Sequence, residues 1–179
     1  MNKLMSKKLL LIFLLLIPFN LIGERGEYAS QDTDYSVQSM FLYNFAGMVN
    51  WPSAYQSGEF IIAVYGNNPM AEEIQDMAQR RNVGGRQIEA KTFNSINEIS
   101  KCHIIYVPSG QSRNLSDVVD HLKANNISAL IVSDSRRALR DGSVINFTIR
   151  QGRQRFQVSE ENARTMGLNL SGEIIRLGI

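Results

Sequence analysis

Three short apolar runs limit what this chain can fold into: "FIIAVY" (Phe60–Tyr65), "HIIYV" (His103–Val107) and "ALIV" (Ala129–Val132). Each is continuous rather than alternating, rich in β-branched residues, and closed by a turn. Strands that read this way are covered on both faces, the condition of parallel strands packed between helices. The intervening segments supply such helices. After the first run, Asn68 and Pro69 suit a helix start, Glu72 and Glu73 its first turn and Arg80 and Arg81 its end, with Met70, Ile74, Met77 and Ala78 on one face. Leu115, Val118, Val119 and Leu122 give the helix after the second run the same kind of face.

Two further patterns make the sheet mixed. "QIEAKTF" (Gln87–Phe93) alternates and reads as a half-exposed edge strand. "SVINFTIRQGRQRFQV" places two alternating runs on either side of Gln151-Gly152, a connection so short that it joins only antiparallel strands. Ser159 then caps a short helix that stops at Gly167, and "EIIRL" at the end reads as a final strand. The expected class is α/β: a layered domain whose mixed sheet has a parallel centre and a C-terminal antiparallel hairpin.

The N-terminus has a different composition. Lys3, Lys7 and Lys8 precede "LLLIFLLLI", followed by Pro18, Asn20 and Gly23, the layout of a secretory signal peptide over residues 1–23. The apolar run is shorter than the roughly 20 residues of a spanning helix. No cysteine follows it to accept a lipid, so no stable membrane insertion is expected once the signal is removed. Residues 24–34 are polar and read as a flexible leader, and 35–179 as a single domain. Without the signal, 16 basic residues face 17 acidic ones, which removes the charge argument for nucleic-acid binding. The lone Cys102 cannot form an intrachain disulfide and reads as a small, structural core residue.

The chain holds no phosphate loop, GxSxG elbow, HExxH, CxxC or dinucleotide fingerprint. His103 and His121 have no second ligand at metal spacing. The reading is therefore non-enzymatic, with no cofactor, metal or catalytic residue. Two surface features invite a binding role. "GNN", "PSGQS" and "SDS" place small polar residues at the carboxyl ends of the presumed parallel strands, where open α/β sheets hold ligands. Asn67, Ser109, Gly110, Ser133 and Asp134 are the candidates for a small-molecule crevice, with Arg113 nearby. Between Asp134 and Arg155, six arginines, Arg136, Arg137 and Arg140 among them, outnumber two aspartates, so an acidic partner or anionic headgroups are the expectation for that surface.

"MFLYNFAGMVNWP" (Met40–Pro52) reads as the end of an apolar helix from Tyr35 to Trp51. At helical spacing, Val37, Met40, Phe41, Leu42, Phe45, Met48, Val49 and Trp51 fall on an arc wider than one core layer needs, so the helix is expected either to be deeply buried or to use part of that face for a partner, with Met40, Phe41, Phe45, Met48 and Trp51 as the interface candidates. Ser39, Ala46 and Asn50 form the only polar or small strip. Asn44 falls inside the arc and is expected to be an internal tie to a neighbouring loop; Trp51-Pro52 is the stop.

"FLYNFAGMVNWP", "IIAVYGNNP", "VGGRQIE", "CHIIYVPSG", "LIVSDS", "GSVINFTI", "RQRFQV" and "MGLNLSGEIIRL", in this order, resemble the YfiR family of bacterial exported proteins. The resemblance runs from about Tyr35 to Leu177, and the helix ending in Trp-Pro is its most specific mark. It implies a periplasmic α/β domain, usually dimeric. It also implies a regulator that binds the periplasmic part of an inner-membrane diguanylate cyclase and is itself sequestered by an outer-membrane lipoprotein. A sensor kinase can take the cyclase's place. The namesake's several cysteines are tied to redox control, and with Cys102 alone that control does not carry over. The expected function is a periplasmic regulator of cyclic-di-GMP or kinase signalling acting by protein–protein contact, and the alternative is a small-molecule-binding module.

Overall fold

The computed structural model describes residues 34–179. The expected signal peptide, and all of the expected leader but Asp34, lie outside the described residues. Asp34 itself begins the fold: its carboxylate accepts the Val37 N–H at 3.0 Å and caps the first helix, α1 (Tyr35–Ala46).

The chain continues through β1 (Val49–Asn50), β2 (Phe60–Tyr65), α2 (Met70–Arg80), β3 (Asn82–Val83), β4 (Arg86–Phe93) and β5 (Ile104–Val107). Then come α3 (Leu115–Ala124), β6 (Leu130–Ser133), β7 (Ile145–Arg150), β8 (Arg153–Val158), α4 (Glu160–Thr165), β9 (Asn169–Leu170) and α5 (Gly172–Leu177). Seven strands form one sheet in the order β3-β4-β2-β5-β6-β7-β8. The five from β4 to β7 run parallel, and β3 and β8 close the two edges antiparallel. In chain order the parallel strands lie 2-1-3-4-5, a doubly wound arrangement whose direction of winding reverses between β2 and β5.

The three continuous runs are central strands, and β5 and β6 are buried at every position. The alternating run is nearly the edge: β3 covers β4 only at Arg86 and Gln87, and the Glu89–Lys91 ion pair sits on the part left open. β7 and β8 form the expected hairpin. Gln151 (φ 52°) and Gly152 (φ 70°) both take left-handed backbone, the requirement of a two-residue type I′ turn. The Asn68 side chain accepts the Met70 N–H at 2.9 Å, and Ser159 Oγ that of Asn162 at 3.2 Å, so both expected caps form.

Three expectations are corrected. First, "EIIRL" is helical: Ser171 Oγ receives the Ile174 N–H, Ile174 is buried, and Ile175 and Leu177 stay exposed. Second, the apolar helix stops at Ala46 rather than Trp51. Val49 and Asn50 leave it to pair with Leu170 and Asn169, and Trp51 folds back so that its indole N–H donates to the Ala46 carbonyl at 3.0 Å. A carbonyl that the ended helix cannot satisfy is thereby bonded.

Third, Asn44 is exposed and is not an internal tie. The buried face of α1 runs through Gln38, Ser39, Leu42, Phe45 and Ala46, so Ser39 and Ala46 of the small strip are turned inward. The internal tie belongs to Gln38, 2% exposed, whose amide accepts from the Tyr106 hydroxyl at 3.3 Å and donates to Gln154 at 3.2 Å. A buried amide with both ends bonded escapes the desolvation penalty expected for Asn44.

Candidate functional site

α1 lies over the hairpin end of the sheet. Phe45, 1% exposed, meets Phe156 edge-on at 4.9 Å and Phe147 at 6.1 Å, and Phe41 meets the same rings at 5.6 and 6.0 Å. Of the residues predicted to face a partner, Phe45 is therefore core, and Phe41 and Met48 are half-buried against it. Trp51 is engaged with Phe60 and His103, at 5.5 and 5.3 Å between rings. Met40 differs: it is 55% exposed. It lines a groove of about 490 Å³ between α1 and α2, with Tyr43, Asn44, Arg80 and Arg81 among its walls. The groove is held in shape at its far end, where the Arg81 guanidinium lies 4.9 Å over the Tyr43 ring and the Tyr43 hydroxyl donates to the Asn82 carbonyl.

At the carboxyl ends of the parallel strands, side chains bridge the loops expected to form a crevice. At the winding reversal, Gly66 (φ 80°) is roofed by Gln111, whose amide nitrogen would stand 2.8 Å from a Cβ at that position. Asp134 takes the Ser109 N–H on its carboxylate, tying the loop after β6 to the one after β5. Ser133 is fully buried, and Asn67, Ser109 and Gly110 are exposed. One step further along both loops the surface opens. There Ser112, Arg113, Ser135, Arg136 and Arg137 are among the residues lining a cleft of about 330 Å³. Arg136 and Arg137 were expected to serve an acidic partner; Arg140 is exposed but does not line this cleft.

Sequence reasoning missed Arg86. Its guanidinium donates to the carbonyls of Tyr55, Ser57, Gly58 and Glu59 at 2.7 to 3.2 Å, holding the loop before β2 in one shape. His103 is buried beside it and stacks on Phe60 at 4.2 Å. Its Nδ1 accepts the Ile61 N–H at 3.0 Å, which leaves Nε2 as the protonated nitrogen, donating to the Tyr55 carbonyl at 2.9 Å. Burial pushes the imidazole down to about 4 against an opposing pull from the Tyr55 carbonyl, and the positive charges of Arg86 and Lys101 add smaller contributions in the direction of burial. A histidine that stays neutral and has both nitrogens bonded is a structural group here. Cys102 is buried, and desolvation lifts its thiol to about 12, so it is no nucleophile at neutral pH. Among the described residues no cluster of three His, Cys, Asp or Glu side chains is placed to hold a metal, and no helix is long and apolar enough to cross a membrane.

No curated protein matches the chain. A family model does, over residues 35–179, the whole described fold apart from Asp34. The match takes in the helix with its Trp-Pro exit, the parallel centre and the C-terminal hairpin, and on that extent the chain belongs to the YfiR/HmsC-like family.

Proposed function

We propose that the chain is a non-enzymatic periplasmic regulator that controls a membrane signalling protein by binding it. The observation that carries this reading is family membership across the whole fold, in a family of regulators. The inert state of the obvious reactive groups agrees with it: His103 is neutral and internally bonded, and Cys102 is buried and protonated.

The target is an inner-membrane diguanylate cyclase or sensor kinase, and an outer-membrane lipoprotein is the partner that withdraws the regulator. The working form is a homodimer. The groove beside Met40 is the contact surface this reading favours, because Met40 is a large apolar side chain left exposed next to two arginines. Phe45 is already committed to the core, and Trp51 is partly buried against it. The test is capture from crosslinked membranes, with Met40→Asp as the comparison. The expected result is an inner-membrane protein with a cyclase or kinase output domain, recovered by the parent chain and lost with Met40→Asp. Recovery of no such protein under several growth conditions contradicts the reading.

A further inference from the structure

We propose that the cleft between the start of α3 and the loop after β6 binds a phosphate group. The proposal goes beyond the regulatory reading and does not depend on it. The first observation is charge. Arg113, Arg136 and Arg137 line the cleft against the single carboxylate of Asp141. Asp141 pairs with Arg137 across 3.6 Å, while Arg113 and Arg136 form no ion pair among the described residues. That one pair is long and lies at the surface, so it competes weakly with an incoming dianion. Planar guanidinium groups match the oxygens of a phosphate two at a time, which makes arginine the residue suited to such a site.

The second observation is independent of charge. Ser135 lines the same cleft, is 6% exposed, and its hydroxyl is buried with no hydrogen-bond partner. A buried hydroxyl left unpaired destabilises a fold. Nearby polar groups do not remove the deficit: the Ser135 N–H is spent on Ser133 Oγ at 3.3 Å, and Asp134 is turned to Ser109. An acceptor oxygen that displaces the cleft wall far enough to reach the Ser135 hydroxyl would satisfy it, and Ser112 and Ser116 line the same cleft. The volume of about 330 Å³ admits a phosphate with a small substituent. Its position beyond the carboxyl ends of β5 and β6 is the side on which parallel α/β sheets receive ligands.

The group recognised is the phosphate itself, carried either by a soluble phosphate monoester or by a phospholipid headgroup. The experiment has an arm for each. Inorganic phosphate and phenyl phosphate are titrated calorimetrically into protein produced from the full chain. In parallel, the protein is sedimented with vesicles of phosphatidylcholine, with and without phosphatidylglycerol. The expected result is saturable binding in at least one arm, weakened about tenfold or more by Arg113→Gln combined with Arg136→Gln. An equal charge change on the hairpin, Arg153→Gln with Arg155→Gln, leaves it unchanged. Ser135→Ala separates a ligand site from a structural residue: it is expected to keep or raise the melting temperature while weakening binding about threefold or more. Binding in the first arm assigns a soluble ester, and binding in the vesicle arm alone assigns a headgroup. Absence of saturable binding in both arms overturns the proposal. So does equal loss in the hairpin control, or a Ser135→Ala protein that binds as tightly as the parent.

Discussion

Arg86 and His103 converge on one oxygen, the main-chain carbonyl of Tyr55, which accepts from Arg86 Nη1 at 2.9 Å and from His103 Nε2 at 2.9 Å. The guanidinium and the imidazole thereby hold the loop between Trp51 and β2 against the sheet, and neither is free for other chemistry.

The loop's shape should therefore depend on a fork and not on a charge. Arg86→Lys keeps the charge but cannot reach carbonyls of four residues at once, so it is expected to cost about 2 kcal/mol, close to the cost of Arg86→Ala. Urea denaturation of the two variants checks this; full stability in Arg86→Lys contradicts it.

His103 makes stability pH-dependent in a defined direction. Its folded value, about 4, lies below its ordinary 6.5. Between these values an unfolded chain binds a proton that the folded chain refuses, so stability falls as pH drops from 6.5 toward 4. The contribution is complete above 6.5. His103→Gln is less stable than the parent at pH 7, and its stability should fall less steeply across that interval. Identical slopes in parent and variant, measured by urea midpoints at stepped pH, would remove His103 from the account.

On α1 the two ends of the exposure scale give opposite outcomes. Leu42 is fully buried, and Leu42→Ala is expected to cost about 2–5 kcal/mol. Asn44 faces solvent in the groove, and Asn44→Ala should change stability by no more than about 0.5 kcal/mol. A large loss in Asn44→Ala would restore the internal tie that the sequence suggests.

At Gly66 the backbone itself resists substitution. Its φ of 80° is strained for any residue with a Cβ, and the Gln111 side chain occupies the space above it. Gly66→Ala is expected to cost about 1–2 kcal/mol or more. Adding Gln111→Ala should recover the crowding but not the backbone part, so the double variant settles between the two. Complete recovery contradicts a backbone origin.

The sheet could be read from the sequence because its signals are local. Continuous runs mark the buried centre, an alternating run marks the edge, and Gln151-Gly152 marks the hairpin. The helix α1 was harder, since an arc covering more than half a circumference does not say which part turns inward. Gln38 shows why: a polar residue is buried there because Tyr106 and Gln154, distant in sequence, bond both ends of its amide. The same holds for Arg86, whose four carbonyls come from a loop that no periodicity describes. "EIIRL" failed for a different reason. Five residues carry too little pattern to separate strand from helix, and the Ser171 cap decided the outcome. The polar strand ends could be read in the same way as the sheet, but the Asp134–Ser109 tie, the cover of Gln111 over Gly66 and the cleft lined by Ser135 could not, since they join loops distant in sequence.

Regulation by contact with a membrane signalling protein is best tested with a photoreactive amino acid placed at Met40 and, separately, at Asn125, exposed just past the C-terminus of α3. Irradiation of living cells followed by identification of the adduct reads out the contact itself. The account predicts an adduct at Met40, absent at Asn125, with an inner-membrane protein carrying a cyclase or histidine-kinase output domain. Adducts at both positions alike, or none with any membrane protein at Met40, would contradict it.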